Sequence, residues 1–211
     1  MFNNLKTFFT HKDKNLRDNR WIFTSMLIGA AFSLLAAFVL SVESIEIAKN
    51  PNAQLSCSVN AVINCATVAR HPSASLLGFP NSFLGLVAEP VVITVAIAGL
   101  AGVRFPRRFL FIAQIFYAAG FVFAYYLFFT SIFVIQALCP WCLLVTLSTT
   151  FVFFSMARYN IREDNLYLPK AVAKKAKAFI AHDYDKLTLA IIVVAIISGI
   201  ILKYGAALFA Q

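Results

Sequence analysis

WIFTSMLIGAAFSLLAAFVLSV, residues 21–42, carries no charged side chain over its whole length. At 1.5 Å per residue a helix of this size is about 33 Å long, enough to cross the roughly 30 Å hydrocarbon core of a bilayer. Four more stretches of this kind follow, at approximately residues 82–102, 109–129, 139–156 and 187–209. Backbone groups in lipid must find partners within their own segment, so each stretch reads as a helix. The ten-residue alternation of outer-membrane barrel strands is absent. The first stretch is too long for a signal-peptide core, and no small-x-small cleavage site follows it, so it is a retained span.

Composition points the same way. Of 211 residues, 61% are apolar, 13% are charged and 22 are Phe. A soluble domain is about 45–50% apolar and about 25% charged, so this chain has too little polar surface to cover its core in water. Aromatics abound while Gly and Pro are sparse, which excludes disorder and collagen. The expected fold is an all-α integral membrane protein.

Net charge is +9, which by itself would suit nucleic acid as well as an anionic membrane surface. The positions of the charges decide between them. Lys6, Lys12, Lys14, Arg17 and Arg20 precede the first span; Arg104, Arg107 and Arg108 separate the second and third. Arg158, Arg162, Lys170, Lys174, Lys175, Lys177 and Lys186 lie between the fourth and fifth. Residues 43–81 carry only Lys49 and Arg70, balanced by Glu43 and Glu46. The positive-inside rule therefore puts the amino terminus in the cytoplasm and the 43–81 loop outside. The charge is accounted for by topology and lipid headgroups, with no nucleic-acid partner expected. Residues 170–181 read as a basic helix on the inner surface.

All four cysteines fall on the outer face by this topology, where disulfides form and persist. Cys139-Pro140-Trp141-Cys142 opens the fourth span. Pro140 suits a first helical turn, where its missing N–H leaves nothing unpaired. Cysteines three apart on a helix are about 5 Å apart at Cα, within disulfide range, and the helix start favours a thiolate. Cys57 and Cys65 are eight residues apart. On a continuous helix that is about 12 Å, too far to bond. Either the backbone bends between them, with Asn60 or Asn64 as the breaking point, or each finds another partner. A pair of static disulfides, inert thiols in a transport or scaffold protein, and a metal site compete with a redox role. A four-thiolate metal site needs C-x-x-C knuckles on both sides, and the first pair lacks one, so no metal is expected. A transporter would show an inverted repeat, which the spans do not.

The chain resembles the vitamin K epoxide reductase family, in particular its bacterial disulfide-forming branch. The matching features are Cys57-x7-Cys65, then Asn81-Ser82-x-x-Gly85 opening the second span, then the C-x-x-C opening the fourth. The resemblance covers about residues 20–157. The DsbB type of quinone-linked oxidase has its C-x-x-C in the first outer loop, so the order here separates the two. The resemblance implies that Cys57 exchanges with an external thiol, that Cys65 passes electrons to Cys139, and that Cys142 meets a quinone, ubiquinone or menaquinone. It implies that Asn81 donates a hydrogen bond to a quinone carbonyl. Vertebrate members carry a Tyr one turn after the last cysteine, where this chain has Thr146, so that donor to the second carbonyl is lost. Many bacterial relatives continue into a thioredoxin-like domain after the fifth span. Here the chain ends at Gln211, and the expected partner is a separate exoplasmic thioredoxin-fold (DsbA-like) protein. The implied setting is a bacterial plasma membrane.

Other residues are candidates beside these. Glu89 lies within the second span, where a carboxylate costs on the order of 2–3 kcal/mol on insertion scales; it is a candidate to relay a proton to quinone. Trp141 is a candidate to shape the quinone pocket or, equally, to sit at the membrane interface as aromatics do. The apolar residues 76–79 suit a lid at the membrane surface, and Lys203 can snorkel to headgroups. The expected organisation is a basic amino terminus (1–20), a four-helix catalytic bundle including the outer loop (21–157), a basic linker (158–186) and a peripheral fifth helix (187–211).

Overall fold

The structure, a computed structural model, describes residues 13–60 and 62–209. Lys6 and Lys12 of the basic amino terminus lie outside them. The elements are α1 (Lys14–Lys49), α2 (Cys65–Arg70), a 3₁₀ turn (Pro72–Ser75), α3 (Ser82–Leu100), α4 (Arg107–Phe129), a π-turn (Thr130–Ile135), α5 (Pro140–Arg162), α6 (Lys170–Ala181) and α7 (Tyr184–Phe209). Among the described residues five helices are long and apolar enough to cross a membrane: α1, α3, α4 with its π-turn, α5 and α7. Among the described residues there is no strand, and the protein is all-α.

Helix α1 is the axis of the bundle, with α3 and α5 packed along it and α4 against α5. Phe23, Met26 and Ala30 of α1, Val92 and Ala96 of α3, Leu110 and Tyr117 of α4, and Val152 and Met156 of α5 form the buried core. Two glycines set the spacing. A Cβ on Gly85 would lie 2.7 Å from Ala37 Cβ, and one on Gly29 would lie 2.8 Å from Val152 Cγ2. Small residues at such contacts let apolar helices approach closely when no hydrophobic force distinguishes lipid from protein. Val87, Phe116 and Leu202 point outward and are exposed, as lipid-facing side chains should be. Helix α7 leans on the bundle from one side, through Ile196 and Tyr204 against Phe128, Ile132 and Leu138.

Two boundaries differ from the sequence reading. Helix α1 does not end at Val42 but runs to Lys49. No breaker intervenes until Asn50-Pro51, and Pro51 drives Asn50 into extended backbone (φ −136°, ψ 99°). The last turns of α1 therefore extend past the apolar stretch and carry Glu43 and Glu46. Helix α4 likewise continues through the apolar π-turn and stops only at Gln136, which is left-handed at φ 59°.

At the opposite end from the cysteines, Arg158 bonds Asp185 (Nη1–Oδ1 2.8 Å) and Asp18 (Nε–Oδ1 3.3 Å), and Arg162 bonds Asp18 (2.6 Å). The start of α1, the end of α5 and the start of α7 are joined there. Two basic residues that the sequence assigns to the membrane face are thus paired inside the protein. The basic stretch 170–181 is a helix, α6.

Candidate functional site

Between α1 and α3 the chain folds into a cap, and its turns are made by asparagines. Asn60 Oδ1 accepts from the backbone N–H groups of Val62 and Ile63 (2.9 and 2.7 Å), reversing the chain. Asn64 then caps α2 by accepting from Thr67 N–H at 3.0 Å. The backbone does bend between the two loop cysteines. Cys57 and Cys65 are disulfide-bonded, with Cα atoms 5.6 Å apart.

Beyond this, a contact that sequence spacing does not reveal fixes the cap on the bundle. Ile63 and Leu138 form an isolated parallel bridge. Leu138 N–H donates to Val62 O (2.7 Å), and Asn64 N–H donates to Leu138 O (3.0 Å). Each side of the bridge leads directly into a cysteine. Cys65 and Cys139 consequently face one another with sulfurs 3.4 Å apart, both buried. Cys139 and Cys142 are free thiols. Cys139 caps α5, and the Cys142 backbone N–H donates to its sulfur at 3.3 Å. A backbone N–H at a helix start favours negative charge on the sulfur it meets.

All four cysteines lie in one apolar cluster with Leu55, Leu40, Val68 and Trp141. Cys57 is the more accessible of the loop pair at 9% exposed, against 1% for Cys65. A cleft of about 350 Å³ opens beside it, lined among others by Gln54, Ser58, Asn60 and Arg70. Cys142 and Trp141 are half-buried. Cys57 is bonded to Cys65, Cys65 faces Cys139, and Cys142 follows three residues along α5, so the four sulfurs run in succession from cap to bundle.

The remaining sequence candidates occupy separate positions. Asn81 stands just before α3, and its side chain ties down the apolar turn. Its Nδ2 donates to Ser73 O (2.7 Å) and its Oδ1 accepts from Leu76 N–H (3.2 Å). One amide hydrogen is left for another acceptor. Thr146 is buried one turn below Cys142 and donates its hydroxyl to Cys142 O at 2.9 Å. Glu89 is not part of the cluster. It pairs with Ser33 on α1, eight residues and about 12 Å along the helix from Ser41, which bonds Ser82 at the cysteine end. Glu89 Oε1 accepts from Ser33 (2.9 Å) and Tyr117 (3.3 Å), while Oε2 has no partner among the described residues. Lys203 is exposed near the end of α7. Its ammonium and the Tyr204 hydroxyl both donate to Ile132 O (2.7 and 2.9 Å), bracing the π-turn that leads to the C-x-x-C.

Two buried residues carry no mark in the sequence reading, one beside Glu89 and one beside Cys57. Tyr117 was lost among many aromatics, and only its spatial meeting with Glu89 marks it. Glu43 was counted simply as loop charge, because the apolar stretch ends just before it.

Residues 24–157 match the family model described as the vitamin K epoxide reductase family. No curated protein matches the chain.

Proposed function

The chain belongs to the vitamin K epoxide reductase family of membrane thiol oxidoreductases, and from that premise we propose that it oxidises dithiols of exported proteins at the expense of a quinone. Electrons enter from an exoplasmic thioredoxin-fold (DsbA-like) protein and pass through Cys57–Cys65 and then Cys139–Cys142. The setting is a bacterial plasma membrane, with the amino terminus cytoplasmic and the cysteine end exoplasmic. The observation that carries this reading is the 3.4 Å approach of Cys65 and Cys139 across the bridge.

The steps follow from the line of sulfurs. The partner's reactive loop enters the cleft beside Cys57, and its thiolate attacks that sulfur. Cys65 leaves with the electron pair and attacks Cys139 of the inner disulfide, releasing Cys142 as thiolate. The partner's second thiol frees Cys57, which closes again on Cys65 and releases Cys139. The observed state, loop pair bonded and inner pair free, follows that closure and precedes re-oxidation of the inner pair.

A quinone supplies the two-electron sink. The residues present fit an apolar ring bearing carbonyl groups: Cys142 is half-buried beside Trp141 in an apolar cluster, and Asn81 keeps one unassigned amide hydrogen. Those three would hold it. Thr146, with its hydroxyl hydrogen on Cys142 O, offers only an acceptor. Glu89 stands deeper as a candidate proton relay. The lipid-facing surface makes membrane lipid a constant partner.

The test is anaerobic mixing of the purified protein in nanodiscs with a reduced thioredoxin-fold partner and ubiquinone or menaquinone. Wild type should reduce one quinone per dithiol oxidised, and Cys142→Ser should reduce none. Equal quinone reduction by Cys142→Ser would overturn the proposal.

A further inference from the structure

Glu43 has no part in the exchange just described, yet it touches one of its sulfurs. The continued α1 carries its side chain under the cap, where it is only 5% exposed. Its Oε1 accepts from the Ser56 hydroxyl at 3.1 Å and lies 3.5 Å from Cys57 Sγ; Oε2 lies 3.8 Å from the same sulfur. A carboxyl group withdrawn from water and supported by one neutral hydroxyl is costly to place. Position against a reactive sulfur gives it a use.

We infer that Glu43 is the proton carrier of Cys57, returning a proton to that sulfur when the partner departs and removing it when the loop disulfide closes. The inference rests on the exchange reading above. When the partner's second thiol breaks the mixed disulfide, Cys57 receives the bonding pair. A thiolate formed against a carboxylate is repelled, whereas protonated Glu43 donates its proton and leaves Cys57–SH beside Glu43 carboxylate. To close the loop, Cys57 must attack Cys65 of the Cys65–Cys139 disulfide, and only a thiolate does so. Glu43 takes the proton back, the Cys57–Cys65 bond forms, and Cys139 leaves with the electron pair. Both the proton and the electron pair are accounted for, and Glu43 ends protonated as it began.

The ionisable groups facing Glu43 are Glu46 on its own helix, Cys57 and Cys65 from the cap, and Cys139 and Cys142 from the start of α5. Cys65 Sγ also lies within 4.8 Å of a Glu43 oxygen, but its exchange partner is Cys139, 3.4 Å away; Cys57 is the sulfur that both carboxyl oxygens contact, at 3.5 and 3.8 Å.

The experiment uses the full-length protein in nanodiscs, with both pairs pre-oxidised by quinone and then mixed with reduced dithiothreitol. Acid quenching, alkylation and mass spectrometry follow opening and closure of the loop disulfide separately, from pH 6 to 9. In Glu43→Gln, closure should slow at least tenfold near pH 7 and recover toward about pH 8.5, where a thiol ionises unaided. Glu43→Asp should restore most of the rate. Closure at the wild-type rate in Glu43→Gln at every pH would overturn the inference. So would a slowing that is the same at all pH values, or an equal, equally pH-dependent slowing in Ser56→Ala, because either outcome makes Glu43 an anchor for the cap. If wild type itself fails to pass electrons from dithiothreitol to quinone, the exchange reading has failed instead, and the wild-type arm reports that independently.

Discussion

Ile63 and Leu138, seventy-five positions apart in the chain, pair as a single rung of parallel β-structure two residues ahead of Cys65 and one ahead of Cys139. The rung sets which sulfur of the cap meets which sulfur of the bundle. Leu138 supplies one of its hydrogen bonds through its N–H, and proline at that position has no N–H to give. Loss of one such bond is worth about 1 kcal/mol, or roughly a fivefold fall in the population of facing sulfurs. In a Cys57→Ser/Cys142→Ser background only Cys65 and Cys139 remain to bond each other. Leu138→Pro should reduce the yield of that disulfide by about fivefold, read by non-reducing mass spectrometry. An undiminished yield would show that packing alone brings the sulfurs together.

The Asn81 side chain holds the apolar turn through two hydrogen bonds, one given and one accepted. Asn81→Asp keeps the acceptor for Leu76 N–H and loses the donor to Ser73 O; Asn81→Ala loses both. At about 1 kcal/mol each, the amides of residues 72–80 should exchange hydrogen roughly fivefold faster in the first variant and more than tenfold faster in the second. Hydrogen-exchange mass spectrometry in nanodiscs checks the order. If both variants protect the turn equally well, the tie is decorative, and the turn is held by Phe79 on Phe83.

What the sequence revealed and what it hid divide along a physical line. Span number and helical class were legible because hydrocarbon thickness demands a fixed run of apolar residues, and nothing tertiary overrides it. Cys139-Pro140-Trp141-Cys142 was legible as a helix start because proline tolerates that position alone. The bend between Cys57 and Cys65 was foreseen as one of two options, and Asn60 and Asn64 both form turns there. The end of α1 was misjudged because hydropathy reports where lipid stops rather than where a helix does; only Asn50-Pro51 carried that signal. The bridge at Leu138 and the meeting of Lys203 with Ile132 join residues far apart in the chain, and no local pattern announces them.

The ion cluster at the far end ties three helices through one side chain. Arg158 is 14% exposed and Asp185 9% exposed, so their pair lies between the surface and buried limits. Removing one partner from such a pair should cost about 2 kcal/mol, below the 3–5 kcal/mol of a fully buried one. Arg158→Ala or Asp185→Asn should therefore lower the thermal midpoint in detergent and expose the start of α7 to protease. Lys186 beside Asp183 holds that carboxyl below the ordinary carboxylate range. Its contribution is complete above about pH 4 and is lost as pH falls further. Midpoints measured between pH 3 and 7 should show wild type and Lys186→Ala converging at the acid end. Parallel curves would remove Asp183 from the cluster's energetics.

Glu89 is held by Ser33 and Tyr117 about 12 Å along α1 from the cysteine end. If it delivers a proton without touching the quinone, Glu89→Gln should lower kcat at least threefold while leaving the quinone KM unmoved. Tyr117→Phe removes one of the two donors to the same oxygen and should cost about 1 kcal/mol of stability with a smaller loss in kcat. Steady-state quinone reduction from pH 5.5 to 8.5 measures both, with thermal unfolding in parallel. Should Glu89→Gln turn over at the wild-type rate throughout that range, the carboxyl is a packing element beside Pro90 within α3, and the protons reach the quinone from the cysteine end.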